Sequence, residues 1–383
     1  MRFDLSGHVQ LRLGGADAAL EAALRREMSP YAPLSDDAAA SGAVTVELEP
    51  LIGDMPPLSE LQLAAGDGFV TGSLDGRLYL LAGGRRISIP DAVEDEPARV
   101  AYEPGVSLAP LFRYVVRPSL QLRALAAGGV AMHASAVVRD GKATLVAGWS
   151  ESGKTETALA LVEDGAQFLS DKWTLLGPSE SDIADGCTAA PFPINVGIRR
   201  WALRYLPRLR AAIPRRARLR FAAAGTFGIA SGPVRALGRR GRAGRLVGGA
   251  ERALALADRV GLSPTEIAEA YGHEAGTQRV PVDLVILLRT IPAGEEVRVS
   301  EADRSLAAQR LAASAVTERQ GYFALRQRAA YAVGTAPSIH DIADREEERI
   351  RDLLASAPVV EVASPFPTDP RRVVAALEPW LRR

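Results

Sequence analysis

Cysteine is nearly missing from this 383-residue chain: Cys187 stands alone, which excludes an intrachain disulfide and any metal site built from several thiolates. Such a lone thiol reads as an inert small residue, permitted by a reducing compartment. No sign of charge prevails either. The 46 basic and 46 acidic residues cancel, so no global field draws the chain to nucleic acid or to an anionic membrane, and aromatic residues for stacking on bases are only 5%. Neither nucleic acid nor membrane is expected as a partner. No window approaches eighteen consecutive apolar residues, and Met1-Arg2-Phe3-Asp4 opens without the basic region and apolar core of a secretion signal. The expectation is a cytoplasmic protein. Lysine is the scarcest cation: Lys142, Lys154 and Lys172 stand against 43 arginines, all three within one short stretch. Where arginine serves every generic purpose, a retained lysine points to a need for a compact ammonium that a guanidinium fork cannot imitate.

What is present describes a folded protein. Hydrophobic residues make up 47% and charged residues 24%, far from the disordered class, and the length suggests two compact units or one core with a large addition. Val9–Leu13 reads as a strand and Ala16 to Arg26 as an amphipathic helix. Between Leu61 and Ile89, Gly66-Asp67-Gly68, Asp75-Gly76 and Gly83-Gly84 split short apolar runs into an antiparallel meander. A boundary near residue 105 would separate a small N-terminal α/β domain (1–105) from a larger one (106–383). Leu111 to Ala127 reads as a helix interrupted by Pro118.

Residues 130–177 carry the chemistry. Val130 to Val138 reads as one strand, Asp140-Gly141 as a hairpin turn and Ala143 to Ala147 as a second, buried strand; a helix from Thr155 to Glu163 and strands at Ala166–Ser170 and Trp173–Leu176 follow. A strand that arrives by a two-residue hairpin, not by a helical crossover, makes the sheet at least partly antiparallel. Further on, arginines crowd Arg199 to Arg220, with a second basic stretch at Arg235–Arg245, in an insertion of about 199–280. Val282–Leu288 and Val359–Val362 read as strands, and Leu306–Ala330, Ile339–Leu354 and Arg371–Leu381 as helices.

Between the second strand and the helix lies Gly148-Trp149-Ser150-Glu151-Ser152-Gly153-Lys154-Thr155, which satisfies the G-x-x-x-x-G-K-[ST] pattern. Such glycines let backbone N–H groups, those of Ser150 and Ser152 among them, curl around phosphate oxygens, and the helix start adds its positive dipole end. Lys154 would bridge the terminal phosphates and the Thr155 hydroxyl would take one magnesium position. ATP and Mg2+ are the cofactors this implies.

The order Met132-His133-Ala134-Ser135-Ala136-Val137-Val138, Asp140-Gly141, the glycine loop with Glu156-Thr157-Ala158-Leu159, then Leu169-Ser170-Asp171 resembles the HPr kinase/phosphorylase family and its serine-kinase-like relatives. The resemblance covers about residues 128–200. It implies an α/β (α+β) fold of the phosphoenolpyruvate carboxykinase type: a mixed, partly antiparallel sheet with the phosphate loop at its cleft. It implies transfer of the γ-phosphate to a serine hydroxyl of a peptide, a protein or a small molecule. His133, Glu156 and Asp171 fall on positions that family members use. Asp171 would accept the acceptor's proton or help hold the metal, following a strand that runs beside the loop strand; His133 would tune or orient that carboxylate; Glu156 would join Thr155 and Asp171 at the metal. Relatives are often homo-oligomers.

Each residue also has a plainer reading. His133 could be a hydrogen-bonded core residue, Asp171 a turn or cap residue, and Glu156 a complement to the helix dipole. Where the family shows two adjacent aspartates this chain has Asp171-Lys172. Lys172 either contacts a phosphate or points to solvent from the next strand, the latter being favoured by strand alternation. Arg199 or Arg200 could reach the cleft, or form a solvated face. His8, His273 and His340 have no ligand-like spacing. Two other functions stay open: a nucleotide-binding regulatory module without turnover, and a carboxykinase-like enzyme, for which the extra metal ligands and acid-binding arginines are missing.

Overall fold

The computed structural model describes residues 1–15, 18–34, 44–50, 56–57, 59–66, 69–74, 77–89, 97–179, 186–213, 258–333 and 339–382. The second basic stretch, the arginines from Arg215 to Arg220, and the turn residues Asp67-Gly68 and Asp75-Gly76 lie outside them. The architecture is mixed α/β.

Two large mixed sheets organise the chain. The first runs Arg2–Leu5, Val9–Leu13, Val44–Pro50, Ala98–Tyr102, Arg85–Ile89, Arg77–Ala82, Phe69–Leu74 and Gln62–Gly66 across its width. Its last four strands are the antiparallel meander expected from the glycine turns. Val44–Pro50 lies parallel to both its neighbours, a pairing of distant segments that no local turn announces.

The second sheet has the order Gln167–Ser170, Ala134–Arg139, Lys142–Gly148, Val280–Ile291, Cys187–Pro191, Thr174–Pro178 and Val130–Met132. Asp140 and Gly141, both at positive φ (51° and 74°), make the tight turn that pairs Arg139 with Lys142. The loop strand Lys142–Gly148 is thus antiparallel to Ala134–Arg139 on one side and parallel to Val280–Ile291 on the other. Val359–Pro365 continues the sheet parallel to Val280–Ile291, with Arg298–Glu301 beyond it.

After Lys142 the loop strand is buried, and apolar but for Thr144, because both its faces are covered. Val146 packs with Leu159 and Val162 of the helix Lys154–Glu163. Leu145 and Ala147 point the other way, to Leu311 and Ile350 of the helices Arg304–Glu318 and Ile339–Leu353. A third apolar cluster joins the first sheet (Phe3, Leu11, Val46, Leu80) to Trp173, Leu175 and Phe192 of the second, so the buried interior runs across residue 105.

Three expectations need correction. Val130–Val138 is not one strand: the chain bends at His133, and Val130–Met132 pairs with Thr174–Pro178 while Ala134–Arg139 pairs with the loop strand. Pro118 does not interrupt the helix. The turn before it, Phe112–Val116, widens to π pitch between Leu108–Leu111 and Arg117–Ala126, which gives the proline ring room against the preceding turn. Leu306–Ala330 is two helices, Arg304–Glu318 and Gln320–Val333, broken at Arg319.

Candidate functional site

The glycine loop leaves the C-terminal end of the loop strand and enters the helix Lys154–Glu163. Its curl requires backbone that only glycine adopts freely: Gly148 has φ 145° and Gly153 φ 95°. A Cβ on Gly148 would lie 2.7 Å from the carbonyl oxygen of Leu288 in the neighbouring strand. Gly148→Ala is therefore expected to lose about 1–3 kcal/mol of stability, read as a lower urea midpoint; an unchanged midpoint would mean the loop relaxes freely.

A cleft of about 530 Å³ opens over this loop and is lined by Ser150, Lys154, Thr155, Glu156 and Asp171. Ser152 is buried behind the loop and its hydroxyl finds no partner among the described residues. The Lys154 ammonium, 7% exposed, donates to the carbonyls of Gly148 (3.0 Å) and Trp149 (2.8 Å). Burial pushes its pKa down to about 8, against the pull of Asp171, Glu318 and Glu156. Glu156 is buried too, and burial raises its pKa, with Asp171 adding to the effect and Arg199 and Arg259 opposing it.

Asp171 sits at the end of Gln167–Ser170. That strand does not run beside the loop strand as expected; it pairs with Ala134–Arg139, one place further out. The hairpin strand between the two is antiparallel to both, so Asp171 and the glycine loop still emerge at the same end of the sheet. Its carboxylate accepts from the Thr155 hydroxyl (2.8 and 3.0 Å) and from that of Ser135.

Among the described residues no hydrogen bond joins His133 to Asp171, whose carboxylate is held by Ser135 and Thr155. The ring meets Ser314 Oγ through Nδ1 at 2.7 Å and packs against Trp173 with centroids 5.4 Å apart, and Ser314 Oγ in turn donates to the Gly148 carbonyl at 3.4 Å. Both bonds form together when Nδ1–H donates to Ser314 Oγ, whose own hydrogen goes to the Gly148 carbonyl. His133 lines the same cleft as Lys154 and Asp171, and through Ser314 it is linked to the loop carbonyl of Gly148.

Burial, with Lys154, Lys172 and Arg319 adding to it, pushes the His133 pKa down to about 2. The unfolded chain binds that proton near pH 6.5. Stability linked to His133 is therefore complete above about pH 6.5 and falls on acidification towards 2, at up to about 1.4 kcal/mol per pH unit. His133→Gln should show a shallower loss of urea midpoint between pH 7 and 4 than wild type. Parallel curves would mean that the folded protein protonates His133.

Lys172 is exposed, its side chain 45% accessible, as the solvent reading expected, but strand alternation is not the reason. It lies in a bend at φ 63°, not on a strand, and its ammonium reaches Glu318 Oε2 at 3.1 Å in the cleft wall. Arg199 lines the cleft, pairs with Glu151 of the loop and stacks on Phe366 at 5.7 Å, whereas Arg200 turns to Asp258. Sequence reasoning gave no role to Ser314 and Glu318, which lie far along the chain, or to Arg113, Arg117 and Glu27 at the cleft. Ser135 stood in the quoted motif, and its spacing from His133 on a strand end was the one available signal.

The fold and site define a mixed α/β protein with a lysine-bearing glycine loop at a strand-to-helix junction. No family model matches the chain, and no curated protein matches it either. Among solved structures, the Hpr(Ser) kinase/phosphatase from Coxiella burnetii aligns over 66% of this chain and 96% of its own, at 12% identity and a TM-score of 0.27. A likeness that slight carries no argument about function, which rests on the side chains. Among the described residues no helix is long and apolar enough to cross a membrane.

Proposed function

We propose that the protein is an ATP-dependent phosphotransferase that moves the γ-phosphate to a serine hydroxyl of a peptide, a protein or a small molecule. The observation that carries this is the convergence, in one cleft, of Lys154 and Thr155 at the loop with a carboxylate, Asp171, hydrogen-bonded to Thr155. The loop amides and Lys154 would hold the β- and γ-phosphates. Asp171 would take the acceptor's hydroxyl proton as the acceptor oxygen bonds to the γ-phosphorus and the bond to the bridging oxygen breaks, releasing ADP.

The donors suit magnesium. A hydroxyl and a carboxylate, both hard oxygen ligands, meet at Thr155 and Asp171, with Glu156 lining the same cleft. Among the described residues no group of three His, Cys, Asp or Glu could hold a metal alone, and Mg2+ asks only for one or two carboxylates beside phosphate oxygens and water. When bound it would neutralise charge on the transferring phosphate.

A second reading, a nucleotide-binding regulatory module, is supported by Lys172, which puts a cation beside Asp171 where the resembling family has a second carboxylate. ADP formation from ATP and Mg2+ with serine-containing peptides and small hydroxyl compounds separates the two. ATP binding without turnover would favour the module; absence of ATP binding would sink both readings.

A further inference from the structure

We infer that the cleft contains a second anion subsite, formed by Arg113 and Arg117, and that the phosphate acceptor carries a carboxylate or phosphate group beside its hydroxyl. This rests on the phosphotransferase reading and extends it to the class of substrate.

Both arginines line the cleft that holds Lys154, Thr155 and Asp171. They stand one helical turn apart where the π turn Phe112–Val116 passes into Arg117–Ala126. That segment packs on the first sheet, through Val115, Val116 and Leu120 beside Phe3, Leu11 and Val46, whereas the glycine loop belongs to the second sheet. The two arginines and the loop therefore enter the cleft from different layers of the fold.

Most of the cleft's other cations are engaged. Lys154 is held by loop carbonyls, Lys172 by Glu318 and Arg199 by Glu151, while Arg259 stands 3.6 Å from that same carboxylate. Arg113 is exposed and, among the described residues, has no carboxylate within 4.0 Å; its guanidinium lies 5.3 Å from the Tyr114 ring. Arg117 is mostly buried, stacked 5.2 Å from Phe112, and the only carboxylate it meets among the described residues is Glu27, at 3.6 Å, which is beyond good hydrogen-bond length. Its Nε is buried with no hydrogen-bond partner.

The Arg117 Nε is out of reach of the cleft, but the side chain is 18% exposed there beside the exposed Arg113, and such planar forks fit a carboxylate or a phosphate through two parallel bonds. The triphosphate already has Lys154 and the loop amides on its own side. An anionic group on the acceptor would use the arginine wall and leave its neighbouring hydroxyl facing Asp171. A neutral acceptor would gain nothing there.

The test compares matched probes by calorimetry: N-acetylserine against N-acetylserinamide, and glycerol 3-phosphate against glycerol. Each is titrated onto protein loaded with a non-hydrolysable ATP analogue and onto nucleotide-free protein, and ATP affinity is measured separately. In at least one pair the anionic member should bind tenfold or more tightly, and which pair does so identifies carboxylate or phosphate as the recognised group. Arg113→Glu, at an exposed position, should erase that preference while changing ATP affinity by less than twofold. Equal affinities within both pairs would overturn the proposal. So would an Arg113→Glu variant that weakens ATP as much as the anionic probe, since the arginines would then serve the nucleotide. Absence of ATP binding to wild type would overturn the phosphotransferase reading, and the titrations on nucleotide-free protein would still decide the anion preference.

Discussion

Lys154→Ala is expected to weaken ATP binding by about 100-fold or more, the loss of two charge-assisted contacts at about 1.5–3 kcal/mol each. In the absence of nucleotide the ammonium bonds the carbonyls of Gly148 and Trp149, and so stands at the mouth of the loop that would receive the phosphates. Burial has pushed its pKa down to about 8, so its charge lacks full compensation, and two phosphate oxygens would supply it. The sign for stability follows from the same shift. A lysine whose pKa is lower folded than unfolded costs stability below about pH 8, and that cost fades only as the pH rises towards 10.5. Alanine removes the cost at pH 7, so the variant should remain folded by circular dichroism while losing the ligand. ATP affinity of wild type should also decline above pH 8, as the ammonium deprotonates. Calorimetry on both proteins checks this, and an unchanged affinity in Lys154→Ala would remove the loop from the nucleotide site.

Local pattern made the centre of this protein legible. Asp140-Gly141 announced the hairpin, the apolar run after it a strand buried on both faces, and the glycine spacing with Lys154 the junction of strand and helix. What could not be read depends on contacts between distant segments. Val44–Pro50 pairs in parallel with strands on both sides, and nothing in its own residues specifies either partner. The place of Asp171 was legible in its end of the sheet and not in its neighbour, because strand order is set by packing across the sheet and not by sequence order. The reading of His133 as a hydrogen-bonded core residue was open from the sequence and the ring is buried, but its partner Ser314 lies on a helix 181 residues away. Lys172 was read as facing solvent and is exposed, but for a different reason than the one given. Alternation holds only within a strand, and the residue lies in a bend at positive φ from which its ammonium also reaches Glu318.

Asp171→Asn is expected to keep ATP binding and to lose phosphoryl transfer by about two to four orders of magnitude, the usual range for removing a general base. The substitution keeps the shape of the side chain and its ability to accept from Thr155 and Ser135, so the loop and its lysine should stay in place. What disappears is the negative charge that, on the proposed function, would take the acceptor's proton and help hold magnesium. The two hydroxyls also fix which way the carboxylate points, so Ser135→Ala should give a smaller loss in kcat with little change in ATP affinity. Lys172→Asp tests the cation that stands beside Asp171. Glu318 now pairs with the Lys172 ammonium at 3.1 Å, and an aspartate would set a like charge against it beside Asp171. The expected result is lower transfer with ATP still bound, which would make the Lys172–Glu318 pair a working part of the cleft wall. Higher transfer would show instead that Lys172 restrains an otherwise competent site. Full activity in Asp171→Asn would move the base elsewhere, with Glu318 the next carboxylate in the cleft to test.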